Sequence, residues 1–313
     1  MEIIKKLIDT PFGYKVFREP PNQNELNSFY AKNYYQNPVK DSTYQIEYSI
    51  EENLERSLRI KLLYDFIELN ISRNLELPPP LSPTGLAANI QRRKFLDVGC
   101  GEGFVLKFFK DHAWEIVGVD FSTHGIRANN PELESFIMQG DVYELLISMK
   151  EKGHKFDVIF LGNVLEHVLD PAALVDQLKN LLEKDGLLVI TVPNDFSDLQ
   201  RFLLDKNEVD EEYWITYPDH LNYFNLNNLS KLLSDRNLPV IDKFSDFPIE
   251  WFLVNSNSNY ISDKLKGKDA HNARVSIATL INSSKNLEAK MNFWRSLSAL
   301  GMGRTITTIS RNS

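Results

Sequence analysis

Between residues 94 and 194, short apolar runs alternate with stretches whose apolar residues recur every three or four positions. KFLDVGC, EIVGVD, FIMQGD, FDVIFLGN and GLLVITVPN read as strands, and GFVLKFFKDH, YELLISMKEK and PAALVDQLKNLLEK read as helices, with an irregular helix before FIMQGD. This alternation predicts an α/β fold, a parallel sheet with helices on both faces. VIFLG and LLVITV are apolar throughout, as strands covered on both sides should be. Upstream, SIEENLERSLRIKLLYDFIELNI predicts a long helix at about 49–72; ELPPPLSPTG cannot continue it and reads as a linker into a domain that starts near Gln91. Downstream, LNNLSKLLSDRNL reads as a helix, PVIDKFSDF as a strand and TITTISR as a final strand, which leaves about 255–303 as an insertion.

Composition narrows the class. A chain of 313 residues, 42% hydrophobic, holds one large α/β core with additions. Its one cysteine, Cys100, leaves no disulfide framework and no cysteine-based zinc site. The start does not look like a signal peptide and no apolar run approaches 18 residues, so a cytoplasmic protein without membrane contact is expected. A net charge of −8 argues against nucleic acid as partner. Charge is uneven, with nine Lys or Arg against three Asp or Glu over residues 255–313. That tail reads as a solvated helical face, a surface for an anionic substrate, or a contact with the acidic body of a second subunit.

The chemistry concentrates in FLDVGCGEG, where a strand runs into Gly99, Gly101 and Gly103. Glycines there tolerate positive φ and put no Cβ between backbone and ligand. Asp120 closes the next strand, placed to accept hydrogen bonds from both hydroxyls of a ribose. A tight strand-to-helix turn would use the same glycines. The spacing GxGxG departs from the GxGxxG of dinucleotide binders, and Glu102 puts a carboxylate inside the loop. Both features favour a cofactor without phosphates and with a cationic end.

LDVGCGEG, VGVD, the GD of QGDV, FDVIFLGNVLEHV and LEKDGLLVITVPN, in that order, resemble the class I S-adenosylmethionine-dependent methyltransferases. EHV and the later PDHLNYFN most resemble members that act on sugars, quinone precursors and related metabolites. The resemblance implies a Rossmann-like seven-stranded sheet, mostly parallel with the last strand antiparallel. Around it are expected a helical N-terminal extension and linker (1–90), a core (91–254), a helical insertion that caps the site or builds a dimer interface (255–303) and a final core strand (304–313). It also implies S-adenosylmethionine as cofactor, with Gly99, Cys100, Gly101 and Gly103 at its methionine end and Asp97 behind them on the ammonium. Asp120 would hold the ribose and Phe121 would face adenine. Asp141 would accept from the adenine amine and the Val142 N–H would reach a ring nitrogen. Asn163 and Val164 end the fourth core strand, the Asn163 carbonyl being a partner for the ammonium.

On the acceptor side, methyl transfer to a hydroxyl needs one proton removed, and histidine has the ordinary pKa for it. His167 and His220, with Glu166, are the candidates; structural hydrogen bonding is the competing role. Were all three to face the pocket they could hold a divalent ion, although no metal is expected. Tyr30, Tyr34, Tyr35, Tyr44 and Tyr48 read either as a lid over the cofactor or as ordinary packing. The expected activity is O-methylation of a small polar acceptor, such as a sugar or nucleotide-linked sugar. N-methylation of an amino sugar or other small amine, and a noncatalytic S-adenosylmethionine-binding scaffold, are the alternatives, and a homodimer stays open. An NAD-dependent oxidoreductase is disfavoured by GxGxG.

Overall fold

The computed structural model describes residues 6–22, 25–26, 29, 48–72 and 92–313. The proline-rich linker, Gln91 and four of the five lid tyrosines (Tyr30, Tyr34, Tyr35 and Tyr44) lie outside the described residues.

The N-terminal strands are β1 (Leu7–Asp9) and β2 (Lys15–Phe17), followed by the long helix α1 (Ile50–Ser72). Then come β3 (Lys94–Val98), α2 (Phe104–Asp111), β4 (Glu115–Asp120), α3 (His124–Asn129), β5 (Ile137–Gln139), α4 (Val142–Glu151), β6 (Phe156–Gly162), α5 (Pro171–Leu181) and β7 (Leu182–Pro193). The remainder is α6 (Asp198–Asp205), β8 (Asn222–Tyr223), α7 (Leu226–Asp235), β9 (Val240–Ser245), α8 (Gly267–Asn282), α9 (Leu287–Ala299) and β10 (Thr305–Arg311).

Seven strands form one sheet in the order β5-β4-β3-β6-β7-β10-β9. Neighbours from β5 to β7 pair in parallel, whereas β10 runs antiparallel between β7 and β9. Successive side chains of a strand face opposite sides, and the core divides accordingly. Leu96, Val98, Ile159, Leu161, Leu188 and Ile190 pack with α4, α5 and α7. Phe95, Val158, Phe160, Leu187 and Val189 pack with α1, α2, α8 and α9. Strands buried on both faces explain why these segments lack polar alternation.

Helix starts follow local capping chemistry. Asp170 accepts from the Ala173 N–H at 3.0 Å, with Pro171 at the first position of α5. Asp141 accepts from the Glu144 N–H at 3.1 Å at the start of α4. The helix expected through LLEK ends earlier, because Leu182 onward joins β7. Helix α6 was not legible from apolar spacing; its signal is the reciprocal cap between Ser197 and Gln200.

The N-terminal extension is not purely helical, which corrects the expectation. Leu7–Asp9 and Lys15–Phe17 make an antiparallel hairpin, and β2 pairs with β8 to give a three-stranded sheet. Its turn, Thr10–Gly13, is closed by the Gly13 N–H donating to the Thr10 carbonyl at 2.9 Å, with Gly13 at φ 88. Strands this short hold no apolar period of their own; pairing with β8 supplies what the local pattern cannot.

Helix α1 is anchored to the sheet by Phe66, fully buried and stacked on Phe244 of β9 with ring centroids 3.9 Å apart. Phe66→Ala is expected to lower the unfolding free energy by about 3–5 kcal/mol in a denaturant titration; a loss below about 1 kcal/mol would mean that α1 is not part of the cooperative core.

Candidate active site

The C-terminal ends of β3, β4 and β6 meet at the glycine loop. Leaving β3, Gly99 and Cys100 both donate backbone N–H groups to the Val119 carbonyl, at 2.7 and 3.2 Å. The Gly101 N–H then donates to Asp120 Oδ2 at 2.8 Å, while Asp120 Oδ1 takes the Ser122 N–H at 2.9 Å. Gly99, Gly101 and Gly103 stand at φ 73, 54 and 79. They are needed for different reasons. A Cβ on Gly99 would collide with Val164 and one on Gly103 with Ile126, but one on Gly101 would meet nothing within 4 Å. Gly101 therefore faces open space, where a ligand can lie against the backbone.

Two carboxylates sit beneath the loop. Asp97 is 2% exposed and its pKa is pushed up to about 8, first by burial and then by the charge of Asp120. Asp120 is also buried and shifted upward by burial, against its backbone hydrogen bonds. A ligand that brings N–H and O–H donors to this pair relieves the cost of burying their charges. Phe121, next in the chain, is 42% exposed. Asp141 caps α4, so its side chain already serves one N–H, and Val142 begins that helix. Asn163, exposed at φ 54, follows β6 and gives its N–H to the Thr191 carbonyl at 2.8 Å.

Glu102 does not point its charge at a ligand unopposed. Tyr48 Oη donates to its carboxylate at 2.8 Å, and Asn129 Nδ2 donates to Oε1 at 3.1 Å. The Arg56 guanidinium stacks over the Tyr48 ring at 3.6 Å and the Phe104 ring at 4.2 Å. Of the five expected lid tyrosines, Tyr48 is the described one, and it ties the start of α1 to the glycine loop.

Glu166, His167 and His220 come together although His220 is far along the chain. The segment after β6 is stitched to β8: the Leu221 and Asn222 N–H groups donate to the Glu166 carbonyl at 2.8 and 3.1 Å, and Asn222 Nδ2 donates to the Val168 carbonyl at 2.6 Å. The two imidazole centroids lie 5.0 Å apart. His167 Nδ1 is 2.7 Å from the Asp219 carbonyl, so the proton resides on Nδ1 and Nε2 is left as an acceptor. His167 Nε2 is 3.8 Å from Glu166 Oε1. Burial drives the Glu166 carboxyl up to about 7. Burial, then the neighbouring His167, drives His220 down to about 4. Glu166 Oε2 and His220 Nδ1 are buried without hydrogen-bond partners among the described residues. Ligand atoms of the three residues lie within 4.8 Å of one another, a spacing that also suits a divalent ion.

A cavity of about 220 Å³ opens among these elements. It is lined by Asp97, Gly99, Cys100 and Asn163, by α1, α8 and α9, and by the strand ends at Ser245–Phe247 and Thr305. None of Glu166, His167 and His220 lines it. The sequence reading missed what α1 and α8 contribute to this wall, since Glu55, Arg59 and Arg274 sit in segments without a recognisable motif.

The family model for a methyltransferase domain matches residues 67–243, over half of the chain, including the ends of β3, β4 and β6 at the glycine loop. The chain belongs to this methyltransferase family. S-adenosylmethionine is its cofactor, and the open face of Gly101 beside Asp97 and Asp120 fits such a group. Among curated relatives, the ubiquinone biosynthesis O-methyltransferase of Glaesserella parasuis serovar 5 (strain SH0165) is 31% identical over 108 residues, 33% of this chain and 46% of that protein. The protein of the same name from Bradyrhizobium sp. (strain ORS 278) is 28% identical over 169 residues, 51% of this chain and 65% of that one. The methyltransferase matches thus span about half the length of these relatives. Among solved structures, a SAM dependent methyltransferase from Archaeoglobus fulgidus is 19% identical with a TM-score of 0.44, covering 71% of this chain and 86% of that one. The plantazolicin methyltransferase BamL, in complex with a triazolic desmethylPZN analog and SAH, is 15% identical with a TM-score of 0.46, covering 94% and 92%. No helix among the described residues is long and apolar enough to cross a membrane.

The opposite shifts of His220 and Glu166 have opposite signs in stability. His220 binds protons less readily folded than unfolded, so its contribution is lost as pH falls from 6.5 toward about 4; Glu166 gains over the range from about 7 down to 4.5. Relative to wild type, His220→Gln is expected to recover roughly 1–2 kcal/mol of stability on going from pH 6.5 to 5. Denaturant titrations at the two pH values check this; an unchanged difference would mean that His220 titrates normally in the fold.

Proposed function

We propose that this protein is an O-methyltransferase that carries the methyl group of S-adenosylmethionine to a hydroxyl of a small acceptor. The observation that carries the proposal is the glycine loop, with its open face at Gly101 above the buried carboxylates Asp97 and Asp120. The cofactor supplies a methyl carbon made electrophilic by a positively charged sulfur. In this reading Asp97 and the Asn163 carbonyl hold the ammonium of the methionine end. Asp120 holds the ribose through the lone pairs left by its two backbone bonds. Phe121 covers one adenine face, while Asp141 and the Val142 N–H meet the adenine edge. Gly99, Cys100, Gly103 and Val164 shape the turn.

His167 is the proposed base. Its Nδ1–H is held by the Asp219 carbonyl, leaving Nε2 to take the hydroxyl proton, and Glu166, shifted to about 7, is matched to share it near neutrality. His220, kept neutral by burial, positions the His167 ring edge-on. Orientation of acceptor against methyl carbon supplies the rest of the acceleration. The relatives' name supports a phenolic quinone precursor over the sugar expected from the sequence.

Calorimetric titration with S-adenosylmethionine and S-adenosylhomocysteine, with NADH as control, tests the cofactor: binding of the first two alone is expected, and no binding of either would overturn the proposal. Asp120→Ala removes a charged hydrogen-bond acceptor worth about 2–3 kcal/mol, so affinity should fall roughly 30- to 150-fold. Unchanged affinity would remove Asp120 from the site. With an acceptor in hand, His167→Asn should lower kcat by about 10²- to 10⁴-fold with cofactor affinity retained. Equal loss of both would make His167 a structural residue.

A further inference from the structure

The sheet end that holds the histidine pair also gathers acids that the proposed chemistry does not use. Asp195 lies two residues beyond β7, Arg304 immediately before β10, and Glu250 in the 3₁₀ turn Ile249–Val254 after β9. Because β10 runs antiparallel between β7 and β9, with Thr305 opposite Pro193, these three meet at the end of the sheet where Glu166 follows β6. Asp195 and Glu250 are 1% and 2% exposed. Asp195 Oδ1 accepts from Arg304 Nη1 at 3.4 Å and Glu250 Oε1 is 3.7 Å from Arg304 Nε, both longer than a good charged hydrogen bond. Arg295 and Asp242 show the short, paired form, with bonds of 2.9 and 2.6 Å. The second oxygen of each carboxylate, Asp195 Oδ2 and Glu250 Oε2, has no hydrogen-bond partner among the described residues, and neither has Tyr213 Oη. Glu166 Oε2 and His220 Nδ1 belong to the same group, since the charge of Arg304 reaches Glu166, His220 and Tyr213 alike. Buried polar groups are seldom left unpaired; five gathered at one sheet end make a surface that a donor-rich ligand completes. None of these residues lines the cavity beside the glycine loop.

We infer that Asp195, Glu250 and Tyr213 bind a protonated amine on the methyl acceptor, holding the acceptor so that its hydroxyl is directed toward His167. This rests on the methyltransferase reading above and names the acceptor's class, a hydroxylated amine. Two carboxylates share one guanidinium, so the group is short of one positive charge, and an ammonium supplies it. Burial is the first cause of the upward shifts of Asp195, to about 7, and of Glu250; a cation set against them removes that cost. Above pH 7 the count does not depend on Glu250: Asp195 and Glu166, both at about 7, are then ionised against Arg304, while His220 is neutral. An anionic acceptor end would meet this excess of negative charge. The three N–H donors of an ammonium match Asp195 Oδ2, Glu250 Oε2 and Tyr213 Oη. Tyr213 and Tyr260 stand beside the same charges and offer aromatic faces to a cation. Arg304, its side chain 31% exposed, spaces the two carboxylates and marks the side from which the acceptor enters.

Tyramine and dopamine are the probes, set against tyrosol and hydroxytyrosol, which carry a hydroxyl in place of the amine at nearly equal shape. Calorimetry at pH 8 on the protein saturated with S-adenosylhomocysteine should show at least one amine binding about ten-fold or more tighter than its alcohol. Asp195→Asn and Glu250→Gln, which keep shape and remove charge, should each weaken that preference, and the double variant should abolish it, while S-adenosylhomocysteine affinity stays within about two-fold of wild type. Circular dichroism checks the fold, and Glu250→Gln alone carries the test if Asp195→Asn does not fold. Equal binding of amine and alcohol, or no binding of either amine, overturns the inference. So does a preference that survives in the folded variants. A parallel fall in S-adenosylhomocysteine affinity overturns it too, since the acids would then serve the cofactor. Failure of S-adenosylhomocysteine to bind the wild-type protein sinks the methyltransferase reading first and this inference with it.

Discussion

The functional end of this molecule depends on how the backbone between β3 and α2 is held to the end of β4. Two N–H groups of the turn converge on the Val119 carbonyl and a third reaches the Asp120 carboxylate. Asp120 thereby becomes part of the loop's skeleton, and its side chain must stay buried to do so. Burial raises the pKa of both carboxyls, and the charge of Asp120 adds to the rise of Asp97 to about 8. The parallel pairing of β3 with β4 and β6 keeps the two acids where they are regardless of the cost. A site held open under such tension is relieved by a ligand rich in donors, which is what a protein organised around the methionine and ribose ends of S-adenosylmethionine requires.

The second constraint is the pairing of distant segments around β6. Nothing local brings His220 to His167. The contact arises because Asn222 turns its amide into the loop after β6, and because β8 is fixed in turn by β2. The N-terminal hairpin therefore supports the histidine pair from behind. The same logic applies on the other face, where Phe66 and Phe244 press α1 onto β9 and carry Arg59 to the cavity rim.

Much of this was legible in the sequence. Continuous apolar runs identified the buried strands, and the glycines with Asp120 identified the turn. The periodicity of IEENLERSLRIKLLYDFIELNIS placed α1 within one residue at its start. What escaped has physical reasons. Strands β1, β2 and β8 are two or three residues long, too short for any period, and exist through pairing alone. Helix α6 is signalled by its cap more than by its apolar face. Arg59 and Arg274 are ordinary helical positions when read locally; only the packing of α1 against α8 puts both on one cavity. Glu102 read as a bare carboxylate in the loop, unfavourable beside phosphates, because its partners, Tyr48 and Asn129, are not its sequence neighbours.

The antiparallel strand β10 has a consequence for how the chain is made. It lies inside the sheet, filling the gap between β7 and β9, and its register runs from Thr305 opposite Pro193 to Arg311 opposite Leu187. During synthesis β7 emerges long before its neighbour, so one edge of a highly apolar strand stands unsatisfied while α6 to α9 are still being added. The nascent chain must pass through an interval in which its stickiest edge is bare.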